Sequence, residues 1–181
     1  MEQGISEQLS SNFQVSLLRV LDKAIKCDEA TKGNVQLVDR ALGRLQMVVQ
    51  RGFDKSFLQL FEFVRPDDPT CCARAFRYQR RVIIPDVAAD LLSGPYLSIC
   101  RENNFQAAQS TPIMGKDGLL KGVFSTYFPK AHHLSNDASM ALDDCASELA
   151  QIITAHEMEF GHILNLIGHT KLLSQRHPPL A

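Results

Sequence analysis

Ala107-Ala-Gln-Ser-Thr-Pro-Ile-Met114 runs into Gly115-Lys-Asp-Gly118, and then into Leu119-Leu-Lys-Gly-Val-Phe-Ser-Thr-Tyr-Phe128. Two β-capable segments flanking a short turn with glycines at each end predict a hairpin. Pro112 cannot donate to a ladder, which predicts an edge or bulge near the end of the first strand. In the second strand Val123, Ser125 and Tyr127 face one side, and Phe124, Thr126 and Phe128 face the other. Both sides are partly apolar, so the strand is expected mid-sheet with material covering each face.

Working outward, Leu9, Phe13, Leu17, Val20 and Ala24 recur at steps of three and four, predicting an amphipathic helix over 6–30. Asn34 to Val38 and Leu45 to Gln50 read as a hairpin across a turn in which Gly43 can take positive φ. Asp54 can cap a short helix carrying Phe57, Leu58, Phe61 and Val64, and Thr70 a second running through Phe76. Val82-Ile83-Ile84 is a brief strand stopped by Pro85. Residues 86–93 read as an acidic loop, and Pro95 to Glu102 as another short helix. Ser135 can cap a final helix that passes Leu173 before His177-Pro178-Pro179 breaks it. The order predicts an α+β fold: terminal helices on one face of an antiparallel sheet, short helices and loops on the other.

At 181 residues with 45% hydrophobic content, one domain with a packed core fits and two would be cramped. A net charge of −1 gives no general attraction to nucleic acid or to an anionic membrane, and neither partner is expected. No window reaches the roughly 18 apolar residues of a membrane span, and the mixed charges of the first 30 residues do not read as a secretory signal. Five cysteines lack framework spacing, and Cys71 and Cys72 are adjacent, which points to reduced thiols and a cytosolic setting. The histidines of His156-Glu-Met-Glu-Phe-Gly-His162 are six apart, on divergent helical faces, so no metal site is expected.

The strand Gly33-Asn-Val-Gln-Leu-Val-Asp39, with Arg51-Gly52-Phe53, Cys72-Ala-Arg-Ala-Phe76, Ile84-Pro-Asp-Val87 and Gln109-Ser-Thr-Pro112, resembles GAF domains, and most closely those of bacterial PAS/GAF sensor histidine kinases. The resemblance covers about residues 5–155. It implies a PAS-like sheet, a GAF-like domain over 1–155 and a C-terminal helical extension and tail over 156–181. It also implies a small-molecule-sensing, non-catalytic role in signal transduction, with a ligand pocket between the sheet and residues 65–106. No cysteine has a neighbouring histidine of the kind that binds bilin in phytochrome-type GAF domains, and the Asn-Lys-X-Asp-Glu pattern of cyclic-nucleotide GAF domains is missing. The ligand and any cofactor therefore stay unidentified.

Within that frame the candidate ligand-binding residues are Cys72, Arg74, Phe76, Arg77, Gln109, Ser110, Phe124 and Thr126, with Ile84 in the wall. Cys72 is either a small core residue or a pocket thiol. Arg74 and Arg77 would favour an anionic or neutral ligand, or else face water. The hydroxyls and the amide would serve a ligand or the backbone. An enzymatic alternative comes from GAF-fold free methionine sulfoxide reductases, because Cys71 or Cys72 together with Cys100 fall where that family keeps reactive thiols. The carboxylates with which that family holds its substrate are missing from the central strands here. A ligand-free scaffold or dimerisation module, its pocket filled by its own side chains, is the third reading. The final helix, about 40 residues and roughly 60 Å long, outruns a small domain. Its apolar distal half predicts a homodimer through the terminal helices, with a separate kinase or other effector as output partner.

Overall fold

The computed structural model describes residues 2–174, with side chains over 11–160. The elements are α1 (Glu2–Cys27), β1 (Lys32–Asp39), β2 (Arg44–Arg51), α2 (Lys55–Phe61), β3 (Phe63–Val64), α3 (Cys71–Tyr78), β4 (Val82–Ile84), α4 (Leu97–Glu102) after a 3-10 turn (Gly94–Tyr96), β5 (Ala107–Met114), β6 (Leu120–Phe128) and α5 (Asn136–Ser174). One antiparallel sheet of six strands has the order β3-β2-β1-β6-β5-β4. β6 lies at its centre, between β1 and β5, and all nine of its residues are buried.

Alternation along the strands divides the core into two layers. Val35, Val49, Ile113 and Phe124 face α1 and α5, where Leu17, Val20, Leu21, Leu142, Cys145 and Leu149 meet them. Leu45, Ala108, Val123 and Tyr127 face the middle segment, packed under Phe53, Phe57, Phe61, Phe105 and α3. Both terminal helices thus cover one face, as the sequence order predicts. They run antiparallel, since Arg19 pairs with Glu148 at 2.8 Å while Phe13 stacks on His156 at 3.9 Å.

Local chemistry accounts for the boundaries. Asp54 accepts from the Phe57 N–H and Thr70 from the Ala73 N–H, so α2 and α3 begin where their caps stand. Gly43 takes φ +62 in the β1–β2 turn. Pro112 lies past Ser110, the last β5 residue that β4 reaches, so β5 is locally an edge there, and a register irregularity follows at Ile113/Met114.

Two elements differ from the sequence reading. Val64 belongs not to α2 but to β3, whose two residues pair with Leu45 and Gln46. A strand that short has no periodicity to read. The first helix also begins at Glu2 and ends at Cys27 rather than spanning 6–30. The breaker at residues 177–179 and the side chains of the final helix beyond residue 160, on which the apolar distal half rests, lie outside the described residues.

Candidate functional site

Between the sheet and the middle segment lies a narrow cavity. Its floor is Asn34 and Gln36 from β1, Ala108 from β5 and Tyr127 from β6. Phe57 and Phe61 of α2, Cys71 and Cys72 of α3, and Ile84 form the walls. Val87, Ser93, Tyr96, Cys100 and Phe105 close it from the 85–106 segment, with Pro69 and Thr70 at the rim. No charged side chain lines it. About 40 Å³ of free space remains, room for one or two waters and far less than a typical ligand pocket.

The floor amides are the unusual feature. Asn34 is 1% exposed and Gln36 fully buried. Gln36 Nε2 donates to the Phe61 carbonyl at 3.4 Å, and Asn34 Nδ2 to the Tyr127 hydroxyl at 3.3 Å. Asn34 Oδ1 and Gln36 Oε1 accept nothing. Buried polar atoms are nearly always paired, so two unpaired acceptors on one cavity floor mark a place built for something else to fill. By contrast the buried Asn103 is fully engaged, through Asp54 N–H and the Ile99 carbonyl.

The thiols are protonated. Burial pushes Cys71 up to about 12 and Cys100 up to about 11, and it raises Cys72 as well. All five cysteines are free. Thr70 Oγ1 and Cys72 Sγ lie 3.3 Å apart, and the Cys71 thiol donates to the Val82 carbonyl at 3.4 Å. Burial also drives Tyr127 well above its ordinary range, so it stays a neutral phenol. Every titratable wall group is thus uncharged at neutral pH.

Of the residues singled out from sequence, the structure places Cys72 and Ile84 in the cavity wall. Arg74 stands behind α3 and forms a bidentate pair with Asp90, at 2.9 and 2.6 Å, while donating to the Pro69 carbonyl at 3.0 Å. Asp90 also accepts from Ser93 Oγ at 2.7 Å, and the guanidinium beside it holds its carboxyl down to about 2. Arg74 is thus a strap on the cover rather than a group in the cavity. Arg77 is exposed, its guanidinium 5.0 Å from the Tyr78 ring, and Phe76 packs at the edge of the core. Ser110 lies on the cavity face of the sheet, but its hydroxyl bonds Ser125 at 2.7 Å.

Gln109, Phe124 and Thr126 lie on the opposite face, beneath the terminal helices. Phe124 belongs to the α1–α5 core. Gln109 Nε2 donates to Thr126 Oγ1 at 2.9 Å and its carbonyl accepts from Thr111 at 2.8 Å. Arg81 joins this array through Thr111 and reaches Asp143 of α5 at 2.6 Å. These residues are one register step away from the cavity, because a strand alternates faces at every residue. Asn34 and Gln36 escaped the sequence reading although their signal was present: two polar residues on one face of a strand that had to be buried on both.

Larger grooves are open to solvent, two of them most prominent. One of about 750 Å³ runs along α1 past Val15, Leu18 and Arg51, and one of about 580 Å³ separates the β5–β6 turn from α5. Among the described residues neither contains an unpartnered buried polar atom, and no cluster of metal-binding side chains occurs. No described helix is long and apolar enough to cross a membrane.

The strand order and the two helix layers define the GAF fold. The model matches the GAF domain region of a Geobacter sulfurreducens PCA membrane protein with TM-score 0.69 at 17% identity, covering 82% of this chain and 97% of that one. It matches a domain of a Sinorhizobium meliloti 1021 protein assigned to the two-component sensor histidine kinases with TM-score 0.66 at 18% identity, covering 80% and 92%. It also matches the free methionine-R-sulfoxide reductase of Neisseria meningitidis with TM-score 0.63 at 15% identity, covering 84% and 88%. No protein-family model and no curated protein matches the sequence. At these identities the likeness is one of fold, and a sensor and an enzyme share it equally.

Proposed function

We propose that this chain is a cytosolic GAF-type regulatory domain that senses a small molecule in the cavity between the sheet and the 65–106 segment, without catalysis of its own. The observation that carries this is the pair of unpaired, fully buried acceptors, Asn34 Oδ1 and Gln36 Oε1, on the cavity floor. Sensor-protein domains among the similar structures support it. A ligand that engages the floor has to displace the cover, and the change biases the packing of the terminal helices, a population shift rather than chemistry. The helices would join two chains, with a separate kinase or other effector reading the change. Native mass spectrometry of the purified full chain tests the core of this: a small molecule is expected to be retained. A chain that retains none, and binds none of the probes described below, would be a ligand-free scaffold.

The enzyme reading has one observation in its favour: Cys71, Cys72 and Cys100 line a single cavity. Free methionine-R-sulfoxide reductases are among the similar folds. Two features weigh against it. The thiolate is the nucleophile, and burial holds all three sulfurs as thiols. No carboxylate lines the wall to meet an amino-acid ammonium. Thioredoxin-dependent turnover of free methionine sulfoxide that disappears when all three cysteines become serine would put the enzyme first.

A further inference from the structure

We propose that the cavity takes an uncharged, flat ligand carrying two hydrogen-bond donors, one for Asn34 Oδ1 and one for Gln36 Oε1, admitted when the 86–96 cover is displaced. The inference rests on the sensing role argued above and specifies the chemistry of its ligand.

The polarity follows from what is already spent. Each floor amide spends one N–H inside the protein, Gln36 on a backbone carbonyl that can only accept, and its oxygen is left unpaired on the cavity floor. At the rim, Thr70 accepts from the Ala73 N–H and lies 3.3 Å from the Cys72 sulfur, and Ser93 donates to Asp90. The ligand must therefore bring N–H or O–H groups to satisfy the two oxygens, while the second N–H of each amide and the Tyr127 hydroxyl proton remain to meet an acceptor beside them. Spacing follows from the strand. Residues 34 and 36 share a face one repeat apart, roughly 7 Å along the chain. Charge is excluded by the wall, which offers neither a cation nor an anion as partner. Flatness follows from the lining, since Phe57, Phe61, Phe105 and Tyr127 present ring faces and edges to a narrow space.

Size requires the cover to move. About 40 Å³ admits water but no ring. Val87, Ser93 and Tyr96 are the lining residues that the displaced segment carries, and Arg74–Asp90 is the bond that holds it down.

The test uses the full chain and four probes of one shape. 4-Hydroxybenzamide has a donor at each end of a benzene ring. 4-Methoxy-N,N-dimethylbenzamide has none, 4-hydroxybenzoate replaces the amide by an anion, and 4-hydroxybenzylamine replaces it by a cation. Ligand-observed NMR at millimolar concentration, followed by titration, is expected to show 4-hydroxybenzamide binding at least about tenfold more tightly than the other three. Gln36→Met and Asn34→Leu should each weaken it by about tenfold. If either variant fails to fold, the ranking of the four probes on the parent chain decides alone. Equal or tighter binding of the donor-free or charged probes, or binding indifferent to both substitutions, overturns the donor-bearing class while leaving a sensing role intact. Binding of none of the four, with no small molecule retained in native mass spectrometry, overturns the sensing role itself. A retained molecule is judged by the same rule: an uncharged compound with two donors supports the inference, and any other overturns it.

Discussion

The strap between Arg74 and Asp90 offers the sharpest quantitative test. Its side chains are 11% and 21% exposed, low enough that solvent screens the pair only partly. Arg74 is the first cause holding the Asp90 carboxyl from 3.8 down to about 2. At 1.36 kcal/mol per tenfold change in proton affinity, that corresponds to roughly 2.5 kcal/mol at neutral pH. Asp90→Asn should remove most of it and leave a half-buried guanidinium with only the Pro69 carbonyl. A double-mutant cycle with Arg74→Met, followed by urea denaturation, should return a coupling of about 2 kcal/mol. Because the carboxyl is depressed in the folded state, the stabilisation is fully present above its unfolded value near 3.9 and is lost as pH falls towards about 2. Wild type and Asp90→Asn should therefore converge in stability across that window. Hydrogen exchange should localise the loss to residues 86–96. A coupling below about 0.5 kcal/mol, as for an exposed pair, or a gap that persists unchanged through acid, would refute the reasoning.

Other outcomes follow from the same geometry. Thr70→Ala removes the cap of α3 and should cost about 1 kcal/mol in chemical denaturation. Phe57→Ala removes a ring only 1% exposed, packed against Phe53, Phe61, Phe105 and Tyr127, and should cost about 3–5 kcal/mol. Iodoacetamide at neutral pH should leave Cys71, Cys72 and Cys100 unmodified until denaturant is added, since burial raises all three thiols; rapid native labelling would contradict this. Light scattering should find the full chain dimeric and a chain ending at Thr154 monomeric; two monomers at micromolar concentration would end the dimer proposal.

Legibility followed period and punctuation. The central hairpin, the caps at Asp54 and Thr70 and the stop at Pro85 were readable because each rests on residues a few positions apart. Val64 was misplaced because pairing with Leu45 is a tertiary fact without local trace. In the site, the arginines were chosen for charge, yet Arg74 found its partner sixteen residues on in a loop whose course no periodicity fixes. Gln109, Phe124 and Thr126 were chosen from the right strands, but on the face toward α1 and α5. The sequence showed both faces of β6 as partly apolar, so it could not say which one looks into the cavity.

Gly33 gives the sheet a further property. A methyl group there would stand 2.9 Å from Leu21 of α1 and from the Ser125 carbonyl. The helix therefore rests on bare backbone, immediately beside the residue whose amide forms part of the cavity floor on the other face. Side chains absorb small displacements by rotating, whereas a peptide plane has no such play. A displacement at Asn34 would therefore meet α1 through the Leu21 and Ile25 side chains, with no side chain on the strand itself to take it up. Gly33→Ala would press a methyl against Leu21 and the Ser125 carbonyl, forcing α1 or the β1–β6 pairing to shift, and a loss of stability with a displaced α1 is the phenotype to look for.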